Sequence, residues 1–412
     1  MKTYYLETFG CKLNQTDSER IKLELNKNFK PSSLKEADIV VFNTCGVVEK
    51  TERKIFKRIN QLKKQGKTII IAGCLPLISD QCQSLAHGII SPQSIGSINK
   101  IAKQALSKKP AIILKDNSIK KPVISIKEAS AIIPIAEGCL GQCTYCTAKL
   151  ARKELKSFTI KDIVVSVKQA LNQGAKEIQL TSQDLAIFGL DRGKQELTDL
   201  LKELLAIEGN FKIKLGMMNP GHTKKIIKKL IKAYESDKLY KFLHLPLQSG
   251  DNEVLKRMKR NYRVEDFIQI SKTFRSKFKD SVLATDIIVG HPWETEQSFQ
   301  KTLKIINQIK PDIVHIFKFS KRKNTPDYAL KDWPDRIKKQ RSRELTKLFQ
   351  DISREKNQRM KGKIFQALVI EKRGLARTNS GRAVVLDKGK PGSLVKAKII
   401  EGKWNYLLGK VV

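Results

Sequence analysis

Glu137-Gly-Cys-Leu-Gly-Gln-Cys-Thr-Tyr-Cys146 follows an apolar stretch, residues 131–136, that reads as a β-strand. Three thiols are spaced here as Cys139-x3-Cys143-x2-Cys146. Thiolates this close together can turn around one metal centre. Zinc normally takes four ligands. No fourth Cys or His lies nearby, and the next His is His222, so a closed zinc site is a poor fit. A 4Fe–4S cluster on three thiolates leaves one iron open to a reactant.

Downstream of this motif, strand-like runs at 177–181, 212–217, 242–247, 282–289 and 313–319 alternate with helix-like segments such as 160–171, 224–234 and 296–309. Six βα units suit a barrel or partial barrel with its active site at the carboxyl ends of the strands. Residues 334–358 read as one long basic helix. Upstream, strands at 4–7, 38–43 and 68–73 alternate with helices at 17–29 and 49–64, the pattern of a parallel sheet. Cys11, Cys45 and Cys74 each follow one of those strands. Carboxyl ends of parallel strands share one edge of a sheet, where open α/β folds place ligands. Three cysteines far apart in sequence are therefore expected to meet. Cys82 is left over and reads as an inert, buried thiol.

Residues 108–128 contain Lys108-Lys-Pro110 and Lys120-Lys-Pro122 and read as a linker with a strand at 111–114. The tail switches to short apolar runs at 364–370, 383–386, 394–400 and 406–412, punctuated by glycines, which predicts a small β-barrel. The expected domains are thus 1–112, a linker at 113–128, 129–356 and 357–412. The fold class is α/β: an open parallel sheet, a partial (β/α)6 barrel and a terminal β-barrel.

The 412 residues carry 80 Lys+Arg against 41 Asp+Glu, a formal charge of +39. Residues 357–412 alone hold 13 basic and 3 acidic residues, and residues 99–128 hold 8 and 2. Charge so concentrated points to a polyanionic partner, nucleic acid above all. No apolar run approaches the roughly 18–20 residues of a membrane span. The N-terminus has no apolar signal region, so a cytoplasmic protein with reduced thiols is expected.

Three thiolates with an open iron meet the requirement of radical S-adenosylmethionine chemistry, in which the cofactor chelates that iron. The triplet, with the aromatic Tyr145 before its last cysteine, resembles the signature of that superfamily. The whole chain resembles the radical S-adenosylmethionine methylthiotransferases. The matching motifs are Glu7-Thr-Phe-Gly-Cys-Lys-Leu-Asn14 with Asp17-Ser-Glu19, Asn43-Thr-Cys45, Gly73-Cys-Leu-Pro76, Thr181-Ser-Gln-Asp184, His244-Leu-Pro-Leu-Gln-Ser-Gly250 with Val254-Leu-Lys-Arg-Met258, and Thr285-Asp-Ile-Ile-Val-Gly290. The basic tail looks like the family's RNA-binding TRAM domain. Gly216-Met-Met-Asn-Pro220 looks like the archaeal and eukaryotic branch, which acts on N6-threonylcarbamoyladenosine next to the tRNA anticodon.

The resemblance implies two 4Fe–4S clusters, one on Cys139, Cys143 and Cys146, the other on Cys11, Cys45 and Cys74. It implies one S-adenosylmethionine as methyl donor and a second as radical source, with a methylthio group delivered to carbon 2 of the adenine. Tyr145, Gln183, Asp184, Gln248 and Asp286 are the residues it would place against cofactor or substrate. Met217 and Met218 read equally as core, and His222 and His244 as structural. The implied partners are the anticodon arm of tRNA, a reducing electron donor and a sulfur source, for a monomer. The same chemistry on isopentenyladenosine in tRNA or on a ribosomal-protein aspartate is the alternative, and a non-catalytic iron–sulfur RNA-binding protein the second. His291-Pro-Trp-Glu-Thr295, Ser320-Lys-Arg-Lys-Asn-Thr-Pro326 and Lys214, where an arginine is frequent, depart from the family pattern.

Overall fold

A computed structural model describes residues 1–114 and 121–412. Residues 115–120, part of the segment read as a linker, lie outside the described residues. Of the rest, Ala111–Ile113 is the last strand of the N-terminal sheet, and Ser125–Lys127 pairs antiparallel with the first barrel strand.

The N-terminal sheet has six parallel strands in the order Lys30–Pro31, Thr3–Thr8, Ile39–Thr44, Thr68–Gly73, Gly88–Ile90 and Ala111–Ile113. Its central strands are buried on both faces, which is why they read as unbroken apolar runs. Ile21, Leu25, Ile98 and Ile101, from two helices, pack on one face. Ile55, Ile59, Cys82 and Leu85 pack on the other, so Cys82 is the core residue expected. The first helix starts at Lys12, directly after Cys11, rather than at residue 17. Leu13 and Asn14 are already buried within it, a tertiary effect that apolar periodicity does not register.

The middle of the chain forms six parallel strands: Ser130–Pro134, Glu177–Thr181, Lys212–Leu215, Phe242–His244, Val282–Val289 and Ile313–Lys318. Ladder pairs and the bridges Ile213–Leu239 and Met217–His244 join them in chain order. The result is a partial barrel whose outer strand faces, such as Ile178, Leu180, Ile213 and Leu215, meet the helices. By the two-residue period, Glu177, Gln179, Lys214, His244, Asp286 and His315 face the lumen. Helix Lys12–Leu25 packs against the first barrel strand and the antiparallel strand beside it.

The long basic helix is Asp335–Gln358 and buries Leu345, Phe349 and Ile352 against the barrel. The tail closes into a five-stranded barrel rather than the four strands expected, the addition being Leu375–Thr378. That strand is four residues long, lies between Gly374 and Gly381, and offers too few apolar positions to read as a strand.

Candidate functional site

Strands Thr3–Thr8, Ile39–Thr44 and Thr68–Gly73 are neighbours in the sheet, so Cys11, Cys45 and Cys74 emerge side by side at its carboxyl edge. Cys11 is exposed, while Cys45 and Cys74 are buried. Asn14, one turn into the following helix, sets its Oδ1 3.7 Å from the Cys11 sulfur and 3.9 Å from the Cys74 sulfur. Gly10 has φ +100°, and a Cβ there would fall 2.5 Å from Cys45 Cβ. Only glycine allows the chain to pass that close to the second cysteine.

Cys139, Cys143 and Cys146 lie on the loop after the first barrel strand. The Gly141 amide donates to the Cys139 sulfur at 3.2 Å, and Arg260 donates to the Cys143 sulfur at 3.0 Å. A Cβ on Gly141 would stand 3.3 Å from the Cys139 sulfur and 3.6 Å from the Cys143 sulfur, so the glycine keeps the space between them open. Thr144 hydrogen-bonds Asp327 at 2.8 Å, and Asp327 also holds fully buried His291 at 2.9 Å. The departure at His291 thus has a structural use: it helps pin the cysteine loop. Trp293, in the same departure, carries the Arg257 guanidinium 4.5 Å from its ring centroid.

Burial pushes the Cys74 thiol up to about 12 and that of Cys139 to about 11. Metal binding at either set therefore releases protons. Among the described residues, the one His/Cys/Asp/Glu trio with ligand atoms all within 4.8 Å is His244, Asp286 and His315. Neither cysteine trio is drawn that tight, a spacing that fits a multi-iron cluster better than a single ion. Soft thiolate donors and the cradle at Gly141 fit the same group.

The remaining candidates divide. The carbonyl oxygens of the Gln183 and Gln248 side chains are buried and unpartnered. Gln248 also holds φ +69°, strained for a residue with a Cβ. Two buried acceptors without donors on the catalytic edge mark where a ligand with donor groups would fit. Asp184 instead accepts from the Ala186 and Asn219 amides, each at 3.0 Å, and pairs with His222 at 2.7 Å. It ties the second barrel strand to the helix after the third. Tyr145 packs on Val254, Met258, Ile288 and Phe319. Asp286 Oδ1 is 2.8 Å from His244 Nε2 and 2.7 Å from His315 Nδ1. Burial would raise its carboxyl, but the two imidazoles hold it well below the usual range.

Sequence reasoning missed Arg152, Arg260 and His315. Arg152 is almost wholly buried, bonds Asn14 at 3.1 Å, and pairs with Asp17 and with Glu137. One guanidinium therefore joins the two cysteine edges across the domain boundary. Nothing local marks it, because its partners lie 15 residues away at Glu137 and 135 away at Asp17.

Residues 133–306 match the radical SAM superfamily, residues 3–87 the family described as uncharacterized protein family UPF0004, and residues 358–412 the TRAM domain. A protein of Archaeoglobus fulgidus named probable threonylcarbamoyladenosine tRNA methylthiotransferase is 43% identical, over 98% of each chain. One of that name from Pyrococcus abyssi is 41% identical over 100% of each chain. A tRNA-2-methylthio-N(6)-dimethylallyladenosine synthase of Caldicellulosiruptor saccharolyticus is 31% identical over 100% of this chain and 93% of its own. Among solved structures, the radical S-adenosylmethionine methyltransferase TsrM from Kitasatospora setae superposes with a TM-score of 0.58. At 10% identity over 80% of this chain and 75% of that one, the likeness speaks for the fold alone.

Proposed function

This chain belongs to the radical S-adenosylmethionine methylthiotransferases, and we propose that it adds a methylthio group at carbon 2 of N6-threonylcarbamoyladenosine, beside the anticodon of tRNA. The observation that carries the reading is the 43% identity to the Archaeoglobus fulgidus relative across 98% of both chains. Relatives named for dimethylallyladenosine stand lower, at 31%. The family uses S-adenosylmethionine and two 4Fe–4S clusters. When bound, these supply reductive cleavage of the cofactor together with the sulfur and methyl of the transferred group.

In this reading the protein's own residues bind, orient and enclose. Cys139, Cys143 and Cys146 hold the cluster that cleaves S-adenosylmethionine, and Cys11, Cys45 and Cys74 hold the auxiliary one. Arg260 donates to the first set and Asn14 lies against the second; such outer partners orient metal ligands. Gln183 and Gln248 accept hydrogen bonds from the cofactor. Support comes from their buried, unpartnered oxygens. Asp184 positions Gln183 by fixing the end of its strand, and Tyr145 packs beneath the cysteine loop. Asp286 holds His244 and His315 toward the lumen. The terminal barrel grips the anticodon arm; an electron donor and a sulfur source come from outside, in the cytoplasm. No helix among the described residues is long and apolar enough to cross a membrane.

Mass spectrometry of tRNA nucleosides from a deletion strain tests the reading. The methylthio form of N6-threonylcarbamoyladenosine should vanish while the parent nucleoside persists. Continued presence of the methylthio form in the deletion strain would refute the assignment.

A further inference from the structure

The barrel lumen carries more positive charge than its own acids balance. Lys214 lies on the third barrel strand, paired in register with Gln179 on the second. Its neighbours Ile213 and Leu215 belong to the outer core, so Lys214 faces inward. Among the described residues its ammonium makes no ion pair, and it lies 4.2 Å from the Phe242 ring centroid. Lys12, the residue after Cys11, reaches in from the N-terminal domain and donates to the Gln179 side-chain oxygen. Arg377 reaches in from the terminal barrel and pairs with Glu177 at 2.9 Å. Glu177 is fully buried. All three domains therefore send a cation toward Glu177, already paired with Arg377, while Asp286, the other carboxylate facing the lumen, is held by His244 and His315.

Burying unpaired charge is costly. Burial, and then repulsion from Arg377 and Lys12, holds the Lys214 ammonium well below its ordinary value. An anion entering the lumen would relieve it. Adenine carries its N6 substituent and carbon 2 on the same edge. A base presenting carbon 2 toward the Cys11 side would bring an N6-linked acid within reach of a lysine side chain. The threonylcarbamoyl group ends in a carboxylate, whereas a dimethylallyl group is apolar and would leave both ammonium groups uncompensated.

We propose that Lys214 and Lys12 form the subsite that binds the carboxylate of the substrate's N6-threonylcarbamoyl group and so select this nucleoside over those with neutral N6 substituents. The assignment rests on the function proposed above and adds its specificity determinant.

The test uses the full-length enzyme with both clusters reconstituted anaerobically. Its substrates are two anticodon stem-loop RNAs, one bearing N6-threonylcarbamoyladenosine and one bearing its neutral methyl ester. The wild type should process the acid at least tenfold better in kcat/KM than the ester. Lys214→Met and Lys12→Met should each lose about tenfold on the acid, chiefly through KM, and little on the ester, while Lys214→Arg keeps the preference. Equal turnover of acid and ester by the wild type would overturn the proposal, as would an unchanged preference in Lys214→Met. Loss of RNA-independent 5′-deoxyadenosine release in Lys214→Met would also overturn it, by assigning the cation to the cofactor. Wild type making no methylthio product from either RNA is a different failure, that of the proposed function itself.

Discussion

At the scale of single residues, the proposed function gives the two cysteine sets separable tasks. Alanine at Cys143 removes one thiolate of the loop cluster and should abolish anaerobic 5′-deoxyadenosine release. Unchanged release would refute that ligand set. Alanine at Cys11, Cys45 and Cys74 together should leave about half the iron and retain cofactor cleavage, yet yield no methylthio product. Full iron in that variant would contradict a second cluster on the sheet edge, and Cys82→Ala should alter neither property. The placement of the cysteines, three at strand ends on one sheet edge and three on one loop, was legible in the sequence, because a tight triplet and strand-end thiols are local patterns. Arg152 was not, since a buried arginine declares itself only through its partners. Replacing it with methionine leaves Asp17 and Glu137 buried without their cation. Removing one partner from a buried ion pair costs on the order of 3–5 kcal/mol. A drop of that size in urea unfolding is expected, and a change under about 1 kcal/mol, the scale of an exposed pair, would show the pairs to be solvated.

Among the elements, the last barrel strand is the anchor of the C-terminal half. Asp312, just before Ile313–Lys318, pairs with Arg275 at 2.9 Å, Lys356 at 2.5 Å and Arg382 at 2.8 Å. It thereby ties a barrel helix, the long basic helix and the terminal barrel to one carboxylate. Burial would raise its carboxyl, but Lys356, Arg382 and Arg275 hold it well below the usual range. A depressed carboxyl contributes stability that is full above its unfolded value of about 3.9 and lost as pH falls toward its folded value. Asp312→Asn should therefore destabilise the protein at pH 7 and flatten its stability loss below about pH 4. Parallel acid-unfolding curves for the two proteins would refute that role. The strands and helices of the barrel were legible from period and length, since each buries one face. The strand Leu375–Thr378 was not, and neither was the convergence on Asp312, which joins residues as far apart as 70 positions.

For the whole molecule, the excess charge sorts into two uses that composition alone does not separate. Arg377 and Arg382 are spent on Glu177 and Asp312, docking the terminal barrel rather than meeting RNA. Cutting the chain near residue 358 would therefore remove one cationic partner from each of two buried carboxylates, and weaker RNA binding in that truncation would be ambiguous. Lys396, Lys398 and Lys410 are the better probes. They are exposed, and register sets Lys398 opposite Lys410 on adjoining strands. Glutamine at all three should leave cofactor cleavage unchanged and weaken tRNA binding. The slope of log affinity against log salt should flatten by roughly 0.7–0.9 for each phosphate that is no longer neutralised. An unchanged slope would make this face a solvated surface. The decisive measurement incubates the reconstituted enzyme anaerobically with S-adenosylmethionine, reductant, a sulfide source and tRNA bearing N6-threonylcarbamoyladenosine, then weighs the nucleosides. The 2-methylthio derivative of that nucleoside should form together with 5′-deoxyadenosine. Release of 5′-deoxyadenosine with no methylthio nucleoside, or methylthiolation of dimethylallyladenosine in preference, would contradict the proposed function.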